Sequence, residues 1–210
     1  MEYRFFYPID ERIFNDKWRI RTDLENRIDI YFILSNNYFD EFHFENGLKL
    51  RNRKNLELKK RQQRFNNGQE YWIKTIHSFK KISIDDIDSI IKILKKSGEN
   101  QLIEQLRTSS SMIVCYLEKI REQRSAGFGR IQELTGLHLK FIRLNDQLQI
   151  GNDLFFETVC IEQSNSQLID DKIIENLIKN YSNISIHRMG YPEFLFRQCQ
   201  KIINHISMST

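Results

Sequence analysis

At 210 residues the chain has room for one domain of the usual roughly 100 to 200 residues and little room for two, so it reads as a single unit from 1 to 210. Its 40% hydrophobic residues can fill a core, its 29% charged residues keep the surface wet, and the lack of any apolar run near ~18 residues excludes a spanning helix. The net charge of +4 excludes no partner, but its distribution is uneven: Lys49 to Phe65 holds eight Lys or Arg against the single Glu57.

The opening MEYRFFYPIDER has neither an apolar signal core nor a small-residue cleavage site, so a cytoplasmic address is expected, with the nucleus left open. Alternation of apolar and polar residues predicts strands over 2–7 (EYRFFY), 27–34 (RIDIYFIL), 47–53 (GLKLRNR), 55–63 (NLELKKRQQ) and 69–76 (QEYWIKTI). Lys54-Asn55 and Asn66-Asn67-Gly68 are turn signals between the last three, which makes this half a meander. Residues 84–96 then change to a helical beat of Ile84, Ile87, Ile90, Ile91 and Leu94, with Ser83 as the expected N-cap, lysines late and Gly98 as the stop. A shorter helix is predicted over 100–108, and Ser109 to Ser111 read as the loop that ends it.

Strands resume over 112–123 (MIVCYLEKIREQ), 137–144 (LHLKFIRL) and 153–163 (DLFFETVCIEQ), separated by the glycine-bearing RSAGFGR and by Asn145-Asp146. Helices over 167–180 and 192–206 close the chain, the second with Pro192 in its first turn. Turns this short join antiparallel neighbours, so the fold class is α+β: an antiparallel eight-stranded barrel, closed or nearly closed, with helices packed outside. Cys115, Cys160 and Cys199 lack any metal-ligand spacing and read as buried small hydrophobes.

The polar beat of the basic segment repeats one sign: Lys49, Arg51 and Arg53 on one strand, then Lys59 and Arg61 after Glu57 on the next. Lys119 and Arg121 follow Ile113, Cys115 and Leu117 on one beat of a later strand. Like charges opposed on neighbouring strands are destabilising unless an anion lies between them. Pointed into a barrel, these side chains would make a tunnel for a polyphosphate. Pointed outward, they would make a basic footprint for nucleic acid, and periodicity leaves both readings open.

Taken in order, EYRFF at 2–6, DIYF at 29–32, GLKLRNR at 47–53, LELKKR at 56–61, EKIRE at 118–122, VCIEQ at 159–163 and GYPEFL at 190–195 resemble the CYTH domain family of triphosphate tunnel enzymes, of the thiamine triphosphatase type. The resemblance spans almost the whole chain. It implies that Arg51, Arg53, Lys59, Lys119 and Arg121 grip triphosphate oxygens, with Lys49, Arg61 and Lys74 on equivalent beats and Arg4 beside them. It also implies that Glu2 and Glu162 hold a divalent metal, Mg2+ or Mn2+, that bridges the phosphates and activates a water.

The first strand departs from the family's ExExK pattern. Its inner beat reads Glu2, Arg4, Phe6, so a cation replaces one carboxylate and the lysine is lost. The stretch LHLKFIRLND offers no acid on its beat before Asp146, and Glu157 faces away from Glu162 in a regular strand. The balance moves from metal binding toward direct anion binding. The expected function is therefore binding of a triphosphate- or polyphosphate-containing ligand, with metal-assisted hydrolysis as the step a CYTH-like phosphohydrolase would add; a catalytically silent barrel and a nucleic-acid module are the alternatives. Glu57, Glu70, Glu118 and Glu122 read as partners for the tunnel cations, and Trp18 and Trp72 as packing residues.

Overall fold

A computed structural model of the protein describes residues 1–33, 42–108, 112–164 and 167–208. The chain runs through β1 (Glu2–Pro8), α1 (Glu11–Phe14) with a π-helical continuation over Asn15–Arg19, β2 (Glu25–Ile33), α2 (Phe42–Glu45), β3 (Asn46–Arg51), β4 (Asn55–Arg64) and β5 (Glu70–Lys81). It continues through α3 (Ile87–Lys96), α4 (Asn100–Thr108), β6 (Ile113–Ser125), β7 (Arg130–Arg143), β8 (Leu148–Gln163), α5 (Asp171–Lys179), the two-residue β9 (His187–Arg188) and α6 (Tyr191–Met208).

The strands follow the order β5-β4-β3-β2-β6-β7-β8-β1, every neighbouring pair antiparallel, and Glu2 opposite Glu70 joins β1 to β5. This closes an eight-stranded barrel, and β9 lies along β1. Closure removes the exposed edges that an open sheet of these strands would present.

The outward beat is apolar wherever a helix covers it. Leu48, Leu50, Leu56 and Leu58 pack under Ile90 and Leu94 of α3 and Leu102 and Leu106 of α4. Tyr3, Phe5, Val159 and Ile161 pack under Ile174 and Leu177 of α5. Phe14 and Trp18 cover Ile120 on a third side.

The inward beat divides in two. Phe6, Ile33, Ile113, Cys115, Leu137, Leu139 and Phe141 meet Phe194, Leu195 and Cys199 of α6, so one half of the interior is filled with apolar side chains. The other half carries the charges. All three cysteines are free and buried, as expected. No helix among the described residues is long and apolar enough to cross a membrane.

Several boundaries move from their expected places. The helix expected from 84 starts at Ile87, because Asp86 rather than Ser83 caps it, its carboxylate accepting from Ser89 N–H at 3.0 Å. β3 ends at Arg51: Asn52 and Arg53 take φ of 53° and 59°, and Lys54 N–H donates to Arg51 C=O at 3.1 Å, which makes Arg53 a turn residue. β7 starts at Arg130, seven residues earlier than expected, and β8 starts at Leu148. α5 starts at Asp171, four residues late, with Asp170 as its cap. The helical segment Glu11–Arg19 was not anticipated. Residue 34 of the second expected strand and Ser109 to Ser111 lie outside the described residues.

Candidate functional site

The polar half of the barrel lines a partly open cavity of about 300 Å³, near the lower end of small-molecule sites. Eight Lys or Arg and four Glu line it. Lys49, Arg51, Lys59, Lys74, Lys119, Arg121 and Arg4 all reach it, as do Glu2 and Glu162. Two candidates do not. Arg53 is exposed in the β3–β4 turn, and Arg61 turns to a neighbouring cleft, where its Nη1 donates to Glu70 Oε1 at 2.9 Å and to Glu193 Oε2 at 3.3 Å.

At the floor, Asp29 is fully buried on β2 and serves three cations at once. Lys49 Nζ is 2.9 Å from its Oδ2, Lys119 Nζ 3.3 Å from the same oxygen, and Arg27 Nε 3.2 Å from Oδ1. Burial raises the Asp29 carboxyl, but Lys119, Lys49 and Arg27 outweigh it and hold the group well below the usual carboxylate range. Burial, with crowding by Lys49, Arg27 and Arg4, pulls the Lys119 ammonium well below its ordinary value despite Asp29. The Tyr191 ring lies under that ammonium, 3.6 Å from Nζ to the ring centre.

On the β3–β4 wall, Glu57 performs the partner role expected of it. Its carboxylate, 1% exposed, lies 3.2 Å from Arg51, 3.4 Å from Lys74 and 3.5 Å from Lys49. Glu70, Glu118 and Glu122 pair outside the cavity instead: Glu70 with Arg61, Glu118 with Arg19 and His138, Glu122 with Arg21 and Arg124. Lys59, between Gly47 and Lys74 in the register, has no carboxylate within salt-bridge distance among the described residues. It faces the cavity, and Glu2 and Glu162 feel its charge only from beyond salt-bridge distance.

The opposite wall is acidic. Glu2 and Glu162 pair in register on β1 and β8, and Glu133 of β7 stands beside them. Glu133 was missed because its strand was expected to begin at 137. Arg27, Tyr31, Gln123 and Tyr191 were missed as lining residues too, although Arg27 and Tyr31 share one beat of the expected second strand and were open to the same period-two argument. Burial raises Glu133, but Arg4 and Arg121 hold it down at about 2. Burial and the neighbouring Glu2 charge push Glu162 up, while Arg4 and Lys59 pull Glu2 down against its burial.

The metal expectation can be tested against this wall. Glu2, Glu162 and the Cys160 thiol bring their ligand atoms within 4.8 Å of one another. Burial pushes Cys160 far above its ordinary value, however, so it offers a neutral thiol, a poor donor for a hard cation. Glu133 has all its acceptor capacity in use: Arg4 and Thr135 donate to Oε1 at 3.1 Å each, Arg121 and Gln123 to Oε2 at 3.0 Å each. Arg4 also donates to Glu2 at 2.8 Å and to Glu162 at 3.4 Å. This donor set does not fit a resident divalent cation, because a guanidinium already stands among the carboxylates.

No family model matches the chain, and no curated protein sequence matches it. Among solved structures the chain is similar to the PH1819 protein from Pyrococcus horikoshii OT3, at 15% identity and a TM-score of 0.46, over 94% of this chain and 99% of that one.

Proposed function

We propose that the charged half of the barrel binds the phosphate chain of a triphosphate or longer polyphosphate, as a divergent CYTH-like barrel would. The observation that carries this is Lys59, an ammonium with no carboxylate within salt-bridge distance among the described residues, opposite Lys74 in a cavity where cations outnumber carboxylates two to one. Guanidinium and ammonium groups facing one small space repel one another until an anion enters, and a chain of phosphates brings several negative charges into that one space.

The inward aim of Lys49, Lys59 and Lys119 argues against the nucleic-acid reading, because a duplex too wide for a 300 Å³ cavity cannot reach them. Phosphates on a small molecule or on a single-stranded end can. Such ligands are abundant in the cytoplasm, the address the sequence leads one to expect. The metal-assisted hydrolysis implied by the resemblance gains no support from the acidic wall.

Isothermal titration and thermal unfolding with tripolyphosphate, ATP and orthophosphate test the proposal. Tripolyphosphate is expected to bind most tightly and to raise Tm, since a ligand specific to the native state stabilises it in proportion to its saturation. Lys59→Ala is expected to weaken binding at least tenfold with Tm of the free protein nearly unchanged. Equal behaviour of wild type and Lys59→Ala would overturn the proposal, and orthophosphate release in the same mixtures separates binding from hydrolysis.

A further inference from the structure

We propose that Arg4 is a tethered cation standing where the acidic wall would otherwise hold a divalent ion, so that the protein takes its oligophosphate as the metal-free anion. The second half of this statement rests on the oligophosphate reading of the cavity; the first half does not.

The geometry is that of a centre with ligands around it. From one planar guanidinium, Nε donates to Glu2 at 2.8 Å, Nη1 to Glu133 at 3.1 Å and Nη2 to Glu162 at 3.4 Å, so all three nitrogens are directed at different carboxylates on three strands. The Tyr191 hydroxyl lies 3.3 Å from Nη1, and the guanidinium carbon sits 4.5 Å from the centre of that ring. The side chain is only 4% exposed. Arg4 is thus clamped by contacts on its edge and its face, and it is part of the strand that carries Glu2.

A bound metal must leave its water and can exchange; this cation is covalently attached and already desolvated. It also carries one charge instead of two and has no open coordination position, so it cannot bridge two phosphate oxygens while polarising a water. A phosphate chain entering the cavity would meet the basic wall directly. A magnesium complex of the same ligand would bring a second cation toward Arg4 and Arg121, which face the same space. Magnesium in solution should therefore compete for the ligand rather than assist it.

Two measurements test this. In the first, Mn2+ is titrated into the protein without phosphate, and free ion is read by electron paramagnetic resonance. Wild type is expected to leave the Mn2+ signal undiminished at millimolar ion. Arg4→Ala, or Arg4→Gln as the larger replacement, is expected to take up about one Mn2+, and adding Glu162→Gln to abolish that uptake. Stoichiometric Mn2+ binding by wild type that Glu162→Gln removes would overturn the role of Arg4. In the second, tripolyphosphate affinity is measured with EDTA and with excess Mg2+. The expected result is equal or tighter binding in EDTA, and a tenfold or greater gain with Mg2+ would overturn the metal-free reading. Failure of tripolyphosphate to bind in either buffer would overturn the oligophosphate proposal and leave the Mn2+ titration to decide the role of Arg4.

Discussion

Phe6 lies face to face with Phe194, ring centres 3.9 Å apart and planes 2° from parallel. On the inner beat of β1, after Glu2 and Arg4, this ring marks where the charged cavity ends and the apolar filling by α6 begins. A cation at this position would be buried among Leu137, Leu139 and Phe156 without a partner. Phe194→Ala removes a fully buried ring, so a loss of about 3 to 5 kcal/mol in urea unfolding is expected. The folded fraction should still respond to tripolyphosphate, because the ring lies outside the cavity lining. Loss of that response without loss of stability would place α6 in the site itself.

Glu57 competes inside the cavity for the cations that a phosphate chain would use. Gln at this position keeps the shape and removes the charge, leaving Lys49, Arg51 and Lys74 less neutralised. Glu57→Gln is expected to lower the stability of the free protein by about 1 to 3 kcal/mol and to enlarge the Tm rise produced by tripolyphosphate. Calorimetry with and without ligand reads both. A variant that is less stable and gains nothing from the ligand would mean that Glu57 orders these side chains rather than competing for them.

Much of the barrel was legible because period two is a strong signal where one beat is uniformly apolar, as in LKLRNRKNLELKK. The same signal carried Lys49, Arg51, Lys59, Lys119 and Arg121 to one space. It failed where the pattern is interrupted. In RIQELTGLH the apolar residues Ile131 and Leu134 are three apart and Gly136 adds no side chain, so the first half of β7 had no readable beat and Glu133 went with it. Arg53 was misplaced because β3 stops at Arg51 and Asn52 and Arg53 themselves turn left-handed, and alternation cannot show where a strand stops. Arg4 was legible as a departure from a pattern, but not as the hub of three carboxylates, since Glu133 and Glu162 lie 129 and 158 residues away.

The acidic wall fixes a pH dependence with a definite sign. Glu133 is held at about 2 against an ordinary 4.5, so it adds stability above the ordinary value that is lost as pH falls from 4.5 toward 2, on the order of 3 kcal/mol. Glu162 is shifted the other way, by burial and by the Glu2 charge, so its contribution is present in acid and fades as pH rises past 4.5. Urea midpoints between pH 2 and 7 should fall steeply on the acid side. Glu133→Gln is expected to flatten that limb, and Glu162→Gln to remove any decline above 4.5. An unchanged acid limb in Glu133→Gln would mean that other carboxylates, Asp29 first, govern acid unfolding.

On the outer face of the barrel, a Cβ added at Gly136 would lie 2.5 to 2.6 Å from three atoms of the Trp18 indole. The indole cannot simply move aside, because its Nε1 donates to Glu157 at 2.9 Å and Glu157 is also held by the Tyr7 hydroxyl and by Lys17 at 2.7 Å. Gly136→Ala should therefore either bend β7 or expel Trp18, at about 1 to 3 kcal/mol for the overpacking. With Trp72→Phe as background, Trp18 becomes the sole indole, and its emission should move to the red if it is expelled. Gly136 sits three residues from Glu133 on the same strand, so the two outcomes differ at the cavity. Expulsion leaves the acidic wall in register and tripolyphosphate binding intact, whereas a bent β7 draws Glu133 away from Arg4 and should weaken it.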